Sequence, residues 1–159
     1  MFTAQDRQWM GRALELAQLA AERQEVPVGA VLIRDQQVIG EGFNANISQF
    51  DATAHAEVQA LRQAGERERN YRLPGTTLYV TIEPCAMCAA ALVHARVERL
   101  IYGAQEPKAG VAISAMEFFR QPFLNHKVEV SGGCMAEECR ALIQTFFAQR
   151  RAQQKALKK

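Results

Sequence analysis

Residues 76–82, Thr-Thr-Leu-Tyr-Val-Thr-Ile, are the most strongly β-forming run in the chain, and Pro84 cuts them off in front of an alanine-rich stretch, 85–95. Proline lacks the N–H that a sheet ladder needs, and alanine is the best helix former, so a strand must stop here and a helix begin. A strand that turns directly into a helix commits the chain to a layered α/β arrangement. The same alternation extends to both sides. Trp9, Ala13, Leu16, Ala17 and Ala20 recur at helical spacing within 6–24, with Thr3 or Asp6 available as the N-cap. Residues 26–33 and 38–43 flank the polar turn 34–37 and predict a β-hairpin, and after the polar loop 44–53 a helix is expected over 54–68, capped by Thr53. A strand at 97–102, a short helix at 113–120, a last strand at 127–130 and a terminal helix from Met135 complete the pattern. In the terminal helix Cys139, Leu142, Ile143, Phe146 and Phe147 define one apolar face. The expected fold is a three-layer α/β/α sandwich around a mixed five-stranded sheet, with a hairpin at one end and parallel crossovers after it. With no internal repeat, linker or charge block, residues 1–159 read as a single domain.

The chain is 48% hydrophobic over 159 residues, which excludes a fibrous or disordered protein. No apolar stretch approaches the roughly 20 residues of a membrane span, and the opening residues are polar and helix-starting rather than those of a signal peptide. A cytoplasmic protein without a membrane partner is therefore expected. Four cysteines are too few and too unevenly placed for a secreted disulfide scaffold, leaving metal binding, catalysis or core packing. The net charge of +2 is unevenly spread. Residues 140–159 hold six Lys/Arg and no Asp/Glu, so the preceding body carries −4. That asymmetry makes nucleic acid a partner to consider.

Chemistry concentrates in two short motifs at junctions, His55-Ala56-Glu57 and Pro84-Cys85-Ala86-Met87-Cys88. One imidazole and two thiolates suit Zn²⁺, and a helix N-terminus favours the thiolate form. Three protein ligands, His55, Cys85 and Cys88, leave a fourth tetrahedral position open, as catalytic zinc requires. Glu57 follows His55 by two residues, about 200° around a helix, and so is expected to stay off the metal and move protons from zinc-activated water. Taken alone, the Cys-x-x-Cys pair would more readily be a redox pair or half of a structural zinc site; its pairing with His-Ala-Glu favours the catalytic reading. Cys139 belongs to the apolar helix face, Cys134 has no assigned role, and His94, His126, Met87 and Met116 read as helix-end, loop and core residues.

Together the two motifs resemble the signature of zinc-dependent nucleobase deaminases. With residues 25–33, 53–57, 70–73, 78–81, 83–89 and Phe146-Phe147 before a basic tail, nearly all of the chain resembles the bacterial tRNA-specific adenosine deaminases of the cytidine deaminase superfamily. The resemblance implies a cytidine deaminase-like fold, a homodimer, and conversion of adenosine to inosine at the wobble position of a tRNA anticodon, usually that of an arginine tRNA. It implies zinc on His55, Cys85 and Cys88, attack of the zinc-bound hydroxide on adenine C6, and Glu57 as proton shuttle. Peptide N–H groups near Ala56 and Cys85 would steady the tetrahedral centre, and Asn44 matches a residue that contacts the target nucleotide. Two positions depart from the family pattern: Ala52 stands where proline is usual, and Glu106 where an aspartate touching the RNA is usual. Phe147, Arg150 and Arg151 are expected to grip the anticodon arm by stacking and phosphate contacts. Two other readings share the zinc core: a deaminase of free bases or nucleosides, and an inactive zinc-binding module.

Overall fold

Thr3 and Asp6 begin the first helix together. In the computed structural model, which describes residues 1–158, the Asp6 amide donates to Thr3 Oγ1 and the Thr3 amide donates to Asp6 Oδ2, each at 3.0 Å. This capping box starts α1 (Ala4–Glu22). Two strands follow, β1 (Gly29–Arg34) and β2 (Gln37–Phe43), joined through Asp35 and Gln36 at φ 50° and 61°. Positive φ at both central residues is the backbone that a two-residue hairpin turn demands. The chain continues through α2 (Ala56–Glu68), β3 (Thr77–Ile82), α3 (Ala86–His94), β4 (Arg99–Ala104), β5 (Glu129–Gly132) and α4 (Ala136–Leu157).

The five strands lie in the order β2-β1-β3-β4-β5. β1 is antiparallel to both neighbours, whereas β3 pairs with β4 and β4 with β5 in parallel. The expected hairpin followed by parallel crossovers is thus the observed topology. Alternate residues feed two cores. Ala30, Leu32, Leu78, Val80 and Leu100 pack against Ala56, Ala60 and Ala64 of α2 and Leu92 and Val93 of α3. Val31, Ile33, Tyr79 and Ile101 face Met10, Ala13 and Leu16 of α1 and Cys139 of α4. The result is three layers, α2 and α3 on one side of the sheet and α1 and α4 on the other.

Two glycines set how closely α2 approaches. A Cβ on Gly40 would sit 2.2 Å from the Ala60 carbonyl oxygen, and one on Gly42 would sit 2.3 Å from that of Ala56. Only a strand without side chains at these points, facing a helix lined with alanines, permits contact this close. The helix that carries Glu57 is therefore pressed onto the hairpin.

Several elements differ from the sequence-based expectation. The helix expected over 54–68 with Thr53 as its cap begins at Ala56 with His55 as N-cap, because the Thr53 hydroxyl donates to Asp51 Oδ1 at 2.7 Å. The strands expected at 26–33 and 97–102 lie at Gly29–Arg34 and Arg99–Ala104. The helix expected over 113–120 shrinks to a 3₁₀ turn, Phe118–Arg120. The amides of Ile113 and Ser114, which would open that helix, donate instead to the Glu83 carboxylate, and the Phe118 amide donates to the Val111 carbonyl. The last strand, expected at 127–130, begins two residues later because its parallel register against β4 runs from Arg99↔Glu129 to Tyr102↔Gly132.

Candidate metal centre and active site

β2 ends at Phe43, β3 at Ile82 and β4 at Ala104, with Phe43 paired to Gly29 and Ile82 to Ala104, so the segments that follow these strands gather at one end of the sheet. Open α/β sheets place ligands beyond such strand ends. Both helices on the inner face begin there. His55 is the N-cap of α2 (φ −77°, ψ 155°) and Cys85 the N-cap of α3 (φ −80°, ψ 176°), and neither side chain is used to cap its own helix. Cys88 lies in the first turn of α3.

These three side chains meet. His55 Nδ1 is 3.6 Å from Cys85 Sγ and 3.5 Å from Cys88 Sγ, and the three candidate ligand atoms all lie within 4.8 Å of one another. Metal–sulfur and metal–nitrogen bonds of about 2.3 Å and 2.0 Å at a tetrahedral angle separate nitrogen from sulfur by about 3.5 Å. The donor set and its spacing therefore fit a metal site. Cys85 is held toward its thiolate by the hydrogen bond from Cys88 and by His55, so that its pKa falls well below that of a free thiol. Glu57 lies in the first turn of α2, is 3% exposed, and is not one of the three candidate ligands. Burial pushes its pKa up to about 7, against the opposing pull of its own amide and of His55.

Three further carboxylate or amide side chains brace the site. Asn44 Oδ1 accepts the Ala56 amide at 2.8 Å, fastening the end of β2 to the start of α2. Because the carbonyl oxygen is committed there, Nδ2 remains as a donor. Glu83, immediately before the Pro-Cys motif, is 2% exposed. It accepts from the amides of Glu106 at 3.1 Å and of Ile113 and Ser114 at 2.9 Å, and from the Ser114 hydroxyl at 2.5 Å. Burial opposes ionisation of Glu83, but these donors outweigh it and hold the carboxyl below its ordinary pKa. The loop after β4 is thereby clipped to the thiolate-bearing turn. Glu25, also 2% exposed, accepts from the Ile47 and Ser48 amides at 3.1 and 2.8 Å and fixes the loop after β2.

Sequence reasoning assigns no role to Glu25 or Glu83. The available signal is an acidic residue set into an apolar, proline-containing run, Glu25-Val-Pro-Val and Ile82-Glu-Pro. Of the other candidates, the Ala56 amide is engaged by Asn44, and the Glu106 carboxylate accepts the Ala109 amide in a local turn. Phe147 is 38% exposed, packed edge-on against buried Phe146, and the Arg150 guanidinium lies 5.4 Å from the Phe146 ring centre, while Arg151 is exposed on α4. α4 packs on the side of the sheet opposite α2 and α3.

A family model for MafB19-like deaminases matches residues 4–151. The tRNA-specific adenosine deaminase of Haemophilus influenzae is 49% identical over 151 residues, covering 94% of this chain and 87% of the relative. That of Agrobacterium fabrum is 45% identical, covering 93% and 97%. A structure solved in a study of A-to-I editing by tRNA:A34 deaminases at the wobble position of transfer RNA superposes with a TM-score of 0.83 at 47% identity, covering 85% of this chain and 98% of the other. Guanine deaminase from Nitrosomonas europaea, at 24% identity and a TM-score of 0.74, shares the fold. Likeness this high over almost the whole length makes the chain a deaminase and a member of the tRNA-specific adenosine deaminase family, within the cytidine deaminase superfamily.

Proposed function

We propose that the protein hydrolyses adenosine to inosine and ammonia at the wobble position of a tRNA anticodon, that of an arginine tRNA, with zinc held by His55, Cys85 and Cys88. The observation that carries this reading is the buried Glu57 carboxyl beside a three-donor cluster whose 3.5–3.6 Å nitrogen–sulfur spacing suits a tetrahedral metal. Bound there, zinc would supply Lewis acidity that lowers the pKa of a water to about 7. Glu57 accepts one proton from the attacking water and delivers it to adenine N1, where inosine keeps it. It then takes the second proton from the new hydroxyl at C6 and passes it to the amine, which leaves as ammonia while the C6 carbonyl forms. A carboxyl group whose pKa stands near neutrality serves both directions of transfer.

The remaining residues bind and orient. Asn44, locked by the Ala56 amide, offers Nδ2 to the target nucleotide. The Cys85 amide, which makes no hydrogen bond among the described residues, is the donor placed to steady the developing tetrahedral centre, while Ala56 acts through Asn44. Glu106 shapes the loop beside the RNA, and Phe147, Arg150 and Arg151 contact the anticodon arm. Residues 1–159 work as one catalytic domain in the cytoplasm. The protein pairs as a homodimer through the groove of about 730 Å³ between α2 and α3, lined by Val58, Leu61, Tyr71 and Ala91.

Incubation with the pooled tRNAs of its host, followed by inosine mapping, tests the proposal. Inosine confined to position 34 of one arginine tRNA is expected. Turnover of free bases or nucleosides with untouched tRNA would overturn it.

A further inference from the structure

The loop over residues 45–54 leaves the site after Asn44 and returns to it at His55, and the Ala45 amide closes its base by donating to the Ala54 carbonyl at 2.9 Å. Its polar groups are devoted to holding its shape. Asn46 Nδ2 donates to the carbonyls of Asp51 and Ala52 at 3.0 and 3.1 Å, the Asp51 amide donates back to the Asn46 carbonyl at 3.0 Å, and buried Glu25 takes the amides of Ile47 and Ser48. This rigid frame presents Phe50 96% exposed and with its backbone at φ 51°, in the left-handed region that residues with a side chain seldom adopt. Exposing a phenyl ring and holding a non-glycine residue there both cost stability. Nothing packed on the ring within the described residues offsets that cost.

We propose that Phe50 is a stacking platform for an unpaired base next to the target adenosine of the RNA substrate. The inference rests on the RNA-deaminase reading above. Drawing one nucleotide out of a loop leaves its neighbours unstacked, and an aromatic ring on a protein loop whose two ends flank the site can restore a π-face to one of them. A ring on a braced loop loses little freedom when a base lands on it. The surroundings favour a base over a second copy of the chain. Ser48 and Gln49 beside Phe50 are exposed and polar, and Ile47, 57% exposed, is the other large apolar side chain exposed on the loop, so the patch offers the single face that a nucleobase needs and falls short of the continuous apolar core of a protein interface.

The test uses the full-length, metal-loaded protein and an anticodon stem-loop carrying 2-aminopurine beside the target adenosine. Phe50→Ala is expected to raise KM for the stem-loop about tenfold, with a smaller effect on kcat, and to relieve the quenching of 2-aminopurine seen on binding to the parent. Phe50→Trp should restore both. Unchanged KM and quenching in Phe50→Ala, with the parent active on the stem-loop, would overturn the platform alone. So would dissociation of the dimer in Phe50→Ala by sedimentation, which would assign the ring to an interface between copies. A parent enzyme that neither binds nor deaminates the stem-loop would overturn both this inference and the function it rests on.

Discussion

Glu57 is a carboxyl group taken almost wholly out of water, and burial of that kind is tolerated only where the group is wanted. Glu57→Gln keeps the volume and would remove the proposed proton transfer. Deamination is expected to fall at least about 100-fold with metal content unchanged, read by an inosine assay beside metal analysis. Loss of metal instead would make Glu57 a ligand. Asp6 is buried for a structural end. It caps α1, accepts the Tyr79 hydroxyl at 2.8 Å and pairs with Arg99 at 3.2 Å. Burial alone would raise its pKa, but the Thr3 amide, Tyr79 and Arg99 outweigh it and hold the carboxyl below its ordinary value. A depressed folded-state pKa contributes stability that is fully present above the unfolded value and is lost as pH falls through the folded one. Asp6→Asn should therefore cost about 3 kcal/mol at neutral pH, and the gap to the parent should close as thermal melts are taken from about pH 5 down through the carboxylate range.

Between elements, the distance of closest approach decides the outcome. A methyl group on Gly42 meets the backbone of α2 at Ala56 and Ala60, neither of which can rotate away. Gly42→Ala should destabilise the protein by about 1–3 kcal/mol and also weaken metal binding, because the displaced helix carries His55; paired melting and metal titration check both effects. Glu83→Gln would turn an NH₂ group toward donors that now face oxygen. We expect a cost of about 1–3 kcal/mol and faster hydrogen exchange at the amides of Glu106, Ile113 and Ser114. Such ties explain what a sequence can and cannot reveal. The strand ending at Pro84, the hairpin, the alanine-rich helices and the two ligand motifs are local patterns, and the structure keeps each of them. Residues 113–120 have helical periodicity, but periodicity is blind to a carboxylate thirty positions away that takes the amides a helix would need. The start of β5 is two residues later than its apolar pattern suggests because its register belongs to its pairing with β4. Asn44 carries no local sign that it holds the start of α2.

Across the whole molecule, charge and metal act over distance. Truncation after Phe147 removes Arg150, Arg151, Lys155, Lys158 and Lys159 and leaves the acidic body. If the tail grips phosphate, tRNA affinity measured across a salt series should fall, and the slope of log K against log salt should flatten by about 0.7–0.9 for each phosphate that the tail no longer neutralises. The candidate metal site joins two helices whose first donors, His55 and Cys85, lie 30 residues apart along the chain. Chelation should accordingly lower the melting temperature, and readdition of zinc should restore it, the gain rising with the logarithm of free metal once the site is saturated. That same separation has a meaning in time. At about 5–20 residues per second, a ribosome delivers His55 roughly 1.5–6 seconds before Cys85. During that interval the imidazole has no partner thiolate to share a cation with. A cation could thus be shared by the two helices only once β3 has closed against β1 and the turn after it has left the exit tunnel.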